Sequence, residues 1–198
     1  MQQVKRKYGL PALVVSLAMF VAAPAIADGP SYNFVQASYQ SVNLDLGSGF
    51  DVDGDGFGLA GSFEVGESVF IIASYATTGF DFSVDLNQLQ VGLGYHAGLT
   101  DNTDFFATLA YVDAEVEAPG ASVDDSGFGA SIGVRSNVSE LVELFGEISY
   151  VDFGDGNETA VAGGIWFNFT EIFAAGLSAS AGDDVTSYGV GARVYFGK

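Results

Sequence analysis

The chain has no cysteine, and among its 198 residues there are only four prolines, one tryptophan and one histidine. Without cysteine no disulfide can brace the fold, and the thiol that bacterial lipoproteins acylate is missing. Basic residues are nearly as scarce, with six Lys and Arg against 25 Asp and Glu and a net charge of −19. Half of these cations, Lys5, Arg6 and Lys7, crowd into the first few positions. A chain without clustered cations cannot neutralise phosphates, which excludes nucleic acid as a partner. Strong negative charge often marks disorder, but disordered chains are poor in aromatic and β-branched residues. Here 17 Phe and nine Tyr recur with Val and Ile in short runs throughout, as in a folded chain. No stretch beyond the opening one approaches the roughly 20 apolar residues that a membrane helix needs.

The opening stretch reads as a secretory signal peptide. Lys5-Arg6-Lys7 is followed by an apolar run over residues 9–21 and by Ala25-Ile26-Ala27 just before Asp28. Cleavage after Ala27 is expected, leaving residues 28–198 as one domain, a length that suits a single core.

Within that domain the dominant signal is alternation with period two, which sends every second side chain to one face of a strand. Phe57, Leu59, Phe63 and Val65 oppose Ala60, Ser62 and Glu64. Leu89, Val91, Leu93 and Tyr95 oppose Gln88, Gln90 and His96, while Phe128, Ala130, Ile132 and Val134 oppose Ser131 and Arg135. Further strands are expected near residues 31–42, 69–78, 104–113, 141–151, 159–168, 172–181 and 185–196. The total is then ten, each about as long as a tilted strand crossing a bilayer, and the even number returns both termini to one side. The fold class expected is all-β: a transmembrane antiparallel up-and-down barrel of ten strands, eight being the alternative.

The connections alternate between short and long. Those at residues 66–68, 97–103, 137–140 and 169–171 are expected as periplasmic turns. Those at 43–55, 79–87, 114–125, 152–158 and 182–184 are expected as outward-facing loops, rich in Asp and Glu and without Lys or Arg. A soluble sandwich also has short alternating strands. It would not keep one face equally apolar in every strand, place Tyr39, Tyr75, Tyr95, Tyr111, Tyr150 and Phe196 near strand ends as a girdle, and finish on Val194-Tyr195-Phe196.

Candidate chemistry is sparse. Glu64, His96, Arg135, Glu143, Glu147 and Arg193 fall on the inward face, where two arginines among three glutamates are expected to pair as a plug or, alternatively, to gate an ion path. His96 has no Ser or Asp that sequence alone can set beside it, so no enzyme is expected. Asp51-Val52-Asp53-Gly54-Asp55-Gly56 resembles half an EF-hand loop, but Ser62 stands where the bidentate Glu belongs. Weak Ca2+ or Mg2+ binding at Asp51, Asp53 and Asp55, shared between acidic loops, is the expectation, and no other cofactor. The aromatic residues at alternating positions are expected to meet lipid, and the Gly92–Gly94 region to relieve crowding in a narrow lumen.

Ser31-Tyr32-Asn33-Phe34-Val35, Asp55-Gly56-Phe57-Gly58, Val91-Gly92-Leu93-Gly94-Tyr95 and Asn102-Thr103-Asp104 resemble the small outer-membrane β-barrels of the OmpA and OmpX type. They are closer still to short barrels of plant-associated bacteria, one of which was proposed as an activator of plant immunity. The resemblance implies the barrel fold and a bacterial outer-membrane location, in outer-membrane lipid, while the acidic loops are expected to contact divalent cations, lipopolysaccharide through cation bridges, or host surface molecules. An envelope-structural or surface-interaction role is expected, a narrow cation-attracting or porin-like channel being the alternative.

Overall fold

The computed structural model describes residues 29–47, 51–154 and 156–197; the expected signal peptide lies outside them. Ten strands follow one another: β1 (Phe34–Asp45), β2 (Asp51–Glu64), β3 (Val69–Phe80), β4 (Val84–Thr100), β5 (Thr103–Ala118), β6 (Ala121–Asn137), β7 (Val142–Asp152), β8 (Asn157–Asn168), β9 (Phe173–Gly182) and β10 (Val185–Tyr195). Each pairs antiparallel with its sequence neighbours. The sheet closes where β1 meets β10, from Phe34 opposite Tyr195 to Leu44 opposite Val185. Closure leaves no strand edge at mid-height, which is what makes a sheet compatible with hydrocarbon.

Alternation decides what each surface meets. Val35, Leu59, Ile71, Leu93, Leu109, Ile132, Ile148 and Val190 all point out and are well exposed, forming an apolar belt. At its upper limit, on the side of the hairpins away from the termini, Tyr39, Tyr75, Tyr111 and Tyr150 also point outward. The Tyr111 hydroxyl donates to Asp113 and that of Tyr150 to Asp152 two residues on, while Tyr75 reaches Asn87. Aromatic rings with hydroxyls turned to polar groups mark an interface between apolar and aqueous surroundings.

The expected long upper loops are largely strand. β1 and β2 stay paired up to Asp45 opposite Asp51, and β5 and β6 up to Ala118 opposite Ala121, where Gly120 takes a positive φ of 87°. The ladder continues because the alternation does: Asp51, Asp53 and Asp55 are exposed, while Val42, Leu44 and Val52 turn inward and pack with Phe80, Leu86 and Val185. Turn signals and charge made these segments resemble loops, but cross-strand pairing with an apolar inner face holds them extended. Asp51, Asp53 and Asp55 therefore form no EF-hand-like loop. Among the described residues, no three His, Asp or Glu side chains come together to hold a metal ion.

The interior corrects a second expectation. Not all alternating aromatics meet lipid: Phe34, Phe70, Phe106, Phe145, Trp166 and Tyr195 point inward and are buried together near the lower end, with Tyr32 among them. Glycines make this possible. Phe70 lies directly across from Gly94, Phe106 from Gly133, Phe145 from Gly164 and Trp166 from Gly176. A Cβ on Gly94 would lie 2.0 Å from the Phe70 ring, and one on Gly164 would lie 2.4 Å from that of Phe145. The absent side chain opposite each ring lets it lie against the wall, so a narrow cylinder holds several rings at one level.

Candidate functional site

Within and around the aromatic layer lie the polar side chains of the lumen. Arg135 on β6 and Glu143 on β7 are both fully buried, and they are joined at two points, Nε to Oε1 at 3.1 Å and NH2 to Oε2 at 3.3 Å. This fork geometry matches a planar guanidinium to a carboxylate. The guanidinium carbon also lies 4.5 Å from the centre of the Tyr32 ring.

Arg193 on β10 is equally buried but has a different environment. Its Nε donates to Gln36 Oε1 on β1 at 3.1 Å, and its NH2 donates to the same oxygen. Its guanidinium carbon lies 4.0 Å from the Trp166 ring centre and 4.3 Å from that of Phe34. The cation thus spans the seam where the barrel closes, held by an amide oxygen and aromatic faces.

His96 on β4 sits between two carboxylates. Its Nε2 is 3.4 Å from Glu64 Oε1 on β2, and its Nδ1 is 3.3 Å from Asp104 Oδ2 on β5. Its ring stacks on Tyr32 at 4.0 Å between centres. Glu64 is also clasped by Asn33, whose Nδ2 donates to Oε2 at 2.6 Å while Oδ1 accepts from the Glu64 backbone N–H at 2.9 Å.

The six inward residues expected from the sequence all line the lumen, and their direct contacts differ from a simple pairing of arginines with glutamates. Arg135 is forked to Glu143, not to Glu147; Arg193 takes Gln36 and aromatic rings in place of a glutamate; and Glu64 serves His96 and Asn33. Glu147 is buried on β7, two positions above Phe145. The reason is reach: contact depends on register and not on sign and depth alone, and Asn137 opposite Glu143 puts Arg135 within one diagonal of that carboxylate.

Asp104, Gln36, Tyr32 and Trp166, outside the expected set, are each defined by a neighbour on another strand. Glu158, expected in an outer loop, lies on β8, facing inward and buried opposite Val151. The period-two run from Glu158 through Ala160 and Ala162 was the available signal. Chemically the set is cohesive: cations meet carboxylates, an amide and rings, and no serine or threonine hydroxyl hydrogen-bonds to His96 among the described residues.

The comparisons agree with this architecture. The KdgM porin in complex with disordered oligogalacturonate is similar at 9% identity and a TM-score of 0.50, over 83% of this chain and 99% of that one. The translocator domain of the autotransporter NalP from Neisseria meningitidis is similar at 10% identity and a TM-score of 0.51, over 84% of this chain and 89% of its own. At such identities the likeness shows the fold alone. No curated protein matches the chain in sequence. The family model described as "Outer membrane protein beta-barrel domain" matches residues 12–172, most of the chain. The closed antiparallel cylinder with an apolar belt outside fits that match, and the chain belongs to the outer membrane protein beta-barrel domain family, a protein of the bacterial outer membrane.

Proposed function

We propose that this barrel is a closed, non-conducting scaffold that carries acidic strand extensions at the cell surface, in an envelope-structural or surface-interaction role. The observation that carries the reading is the double closure of the lumen. Aromatic side chains with Arg193 stacked among them fill the lower end, and Val42, Leu44, Val52, Phe80, Leu86 and Val185 pack together in the upper part. A ten-stranded cylinder has room for little beyond its own side chains, and here Trp166, Arg135, Arg193, Phe70 and Phe106 are among those that point into it.

Above the girdle the outer wall turns acidic, with Asp113, Glu115 and Glu117 on β5 beside Asp85 and Asn87 on β4. Carboxylates without nearby cations concentrate divalent ions by field alone. The partners this supports are Ca2+ or Mg2+ bridging to lipopolysaccharide phosphates, and cationic groups on host surfaces. Catalysis is not part of the reading: His96 is held between the carboxylates of Glu64 and Asp104, and among the described residues no serine or threonine hydroxyl hydrogen-bonds to it.

The second reading is a narrow cation-attracting channel. It is favoured by the polar inward side chains Gln40, Thr78, Gln88, Thr108, Ser131 and Ser180 between the two packed layers, and by the buried Glu147 and Glu158. Planar-bilayer recording from the purified barrel separates them. The scaffold predicts no reproducible open level, and a steady cation-selective level would replace it with the channel.

A further inference from the structure

Before β1 begins, the chain crosses the lower mouth of the barrel without joining any strand ladder. Residues 29–33 have no strand pairing. They run from β1 to the opposite side, where Gly29 lies against β5: a Cβ there would be 3.0 Å from Asp104 Oδ1. Pro30 is buried, and Tyr32 is as buried as any core residue.

Tyr32 fills a socket built by three strands. His96 of β4 stacks on its ring at 4.0 Å, Phe70 of β3 lies 4.6 Å away, and Arg135 of β6 places its guanidinium carbon at 4.5 Å. Asn33 forms the double clasp with Glu64 of β2, and its backbone carbonyl accepts from the Phe196 N–H beyond β10. The segment is therefore held by the contacts of Tyr32 and Asn33 and by one backbone hydrogen bond from Phe196, and by no ladder.

We propose that residues 29–33 form a releasable strap that seals the lower mouth, with Tyr32 as its latch and the His96–Phe70–Arg135 socket as its receptor. A segment outside the sheet can leave without breaking any strand pairing, so its opening is a local event with a lower free energy than unfolding of the barrel. Leaving uncovers the lower lumen around Ser62, which lies one inward position above Glu64, while the upper apolar layer stays in place. The strap thus separates access from the lower side from passage through the barrel. This goes beyond the scaffold reading and does not depend on what the upper rim binds.

The chain's lack of cysteine provides a clean test. Ser62→Cys places one thiol beneath the strap, and Ser180→Cys places one in the buried upper lumen. Each full-length variant is reconstituted in phosphatidylcholine vesicles and treated with a charged, membrane-impermeant maleimide. Tyr32→Ala, or separately Asn33→Ala to lose the clasp while keeping the ring, is expected to speed modification of Ser62→Cys by about tenfold or more, with Ser180→Cys unchanged. The synthetic peptide Gly-Pro-Ser-Tyr-Asn, added to a chain lacking residues 29–33, is expected to slow Ser62→Cys again, and the same peptide with Ala for Tyr is not. Equal Ser62→Cys rates with and without Tyr32 and Asn33 would overturn the strap. Acceleration at both reporters would overturn it too, since the whole barrel would then be loosening.

Discussion

The Arg135–Glu143 fork allows a quantitative test of how the lumen is held. Both side chains are 0% exposed, and two contacts of 3.1 and 3.3 Å join them. At an effective dielectric of about 20, opposite unit charges at such a distance attract by about 5 kcal/mol. Much of that attraction offsets the cost of taking both ions from water, so the net worth of the pair is small. Losing one member is different, because the other remains buried without its forked partner. Arg135→Met is expected to destabilise the barrel by about 3–5 kcal/mol, and Glu143→Leu by a similar amount. The double substitution strands no charge, so it should recover about 2–3 kcal/mol relative to the sum of the singles. Loss of the Arg135 contact with Tyr32 is common to the Arg135 single and the double variant, and it cancels in the cycle. The assay is equilibrium urea unfolding from lipid vesicles followed by fluorescence of Trp166, the sole tryptophan, which lies buried directly opposite Glu143. Strictly additive losses would refute the pairing. Equal recovery with Glu147 replaced instead of Glu143 would reassign it.

Three further outcomes are expected. Gly94→Ala puts a methyl into the Phe70 ring and should cost about 1–3 kcal/mol by the same unfolding assay; adding Phe70→Leu should restore part of the loss, and an additive double would mean the ring is not confined by that glycine. Leu93→Arg and Ile132→Arg, both outward in the apolar belt, should each destabilise the vesicle-inserted barrel by about 2–4 kcal/mol, whereas Asp113→Arg, beyond the girdle, should cost less than about 1 kcal/mol. An epitope inserted at Gly120, in the β5–β6 turn, should be labelled on intact cells, and one inserted at Gly66, between β2 and β3, only after the envelope is opened; the reverse would invert the orientation assigned to the acidic rim.

How much was legible in the sequence follows from which interactions are local. The ten strands were, because alternation of Leu89, Val91, Leu93 and Tyr95 against Gln88, Gln90 and His96 is a property of consecutive residues, and a strand converts it into two faces without help from any neighbour. The outer-membrane setting was also legible, because an apolar belt with few cations leaves little else for a folded, cysteine-free chain. The strand ends were not. Asp51, Asp53 and Asp55 look like a loop by composition, and only their pairing with β1 makes them strand. The lumen partners were out of reach for the same reason. Period two places Arg135, Arg193 and His96 inside, but register decides that Arg135 meets Glu143, that Arg193 crosses the closing seam to Gln36, and that His96 lies between Glu64 and Asp104. The choice of which aromatics turn inward depends on glycines one strand away, since Phe70 is accommodated by Gly94 and Trp166 by Gly176. Local chemistry determined the elements and the medium they cross. Contacts between residues distant in sequence, created only when the sheet closes, decided the packing of the interior and the strap across its mouth.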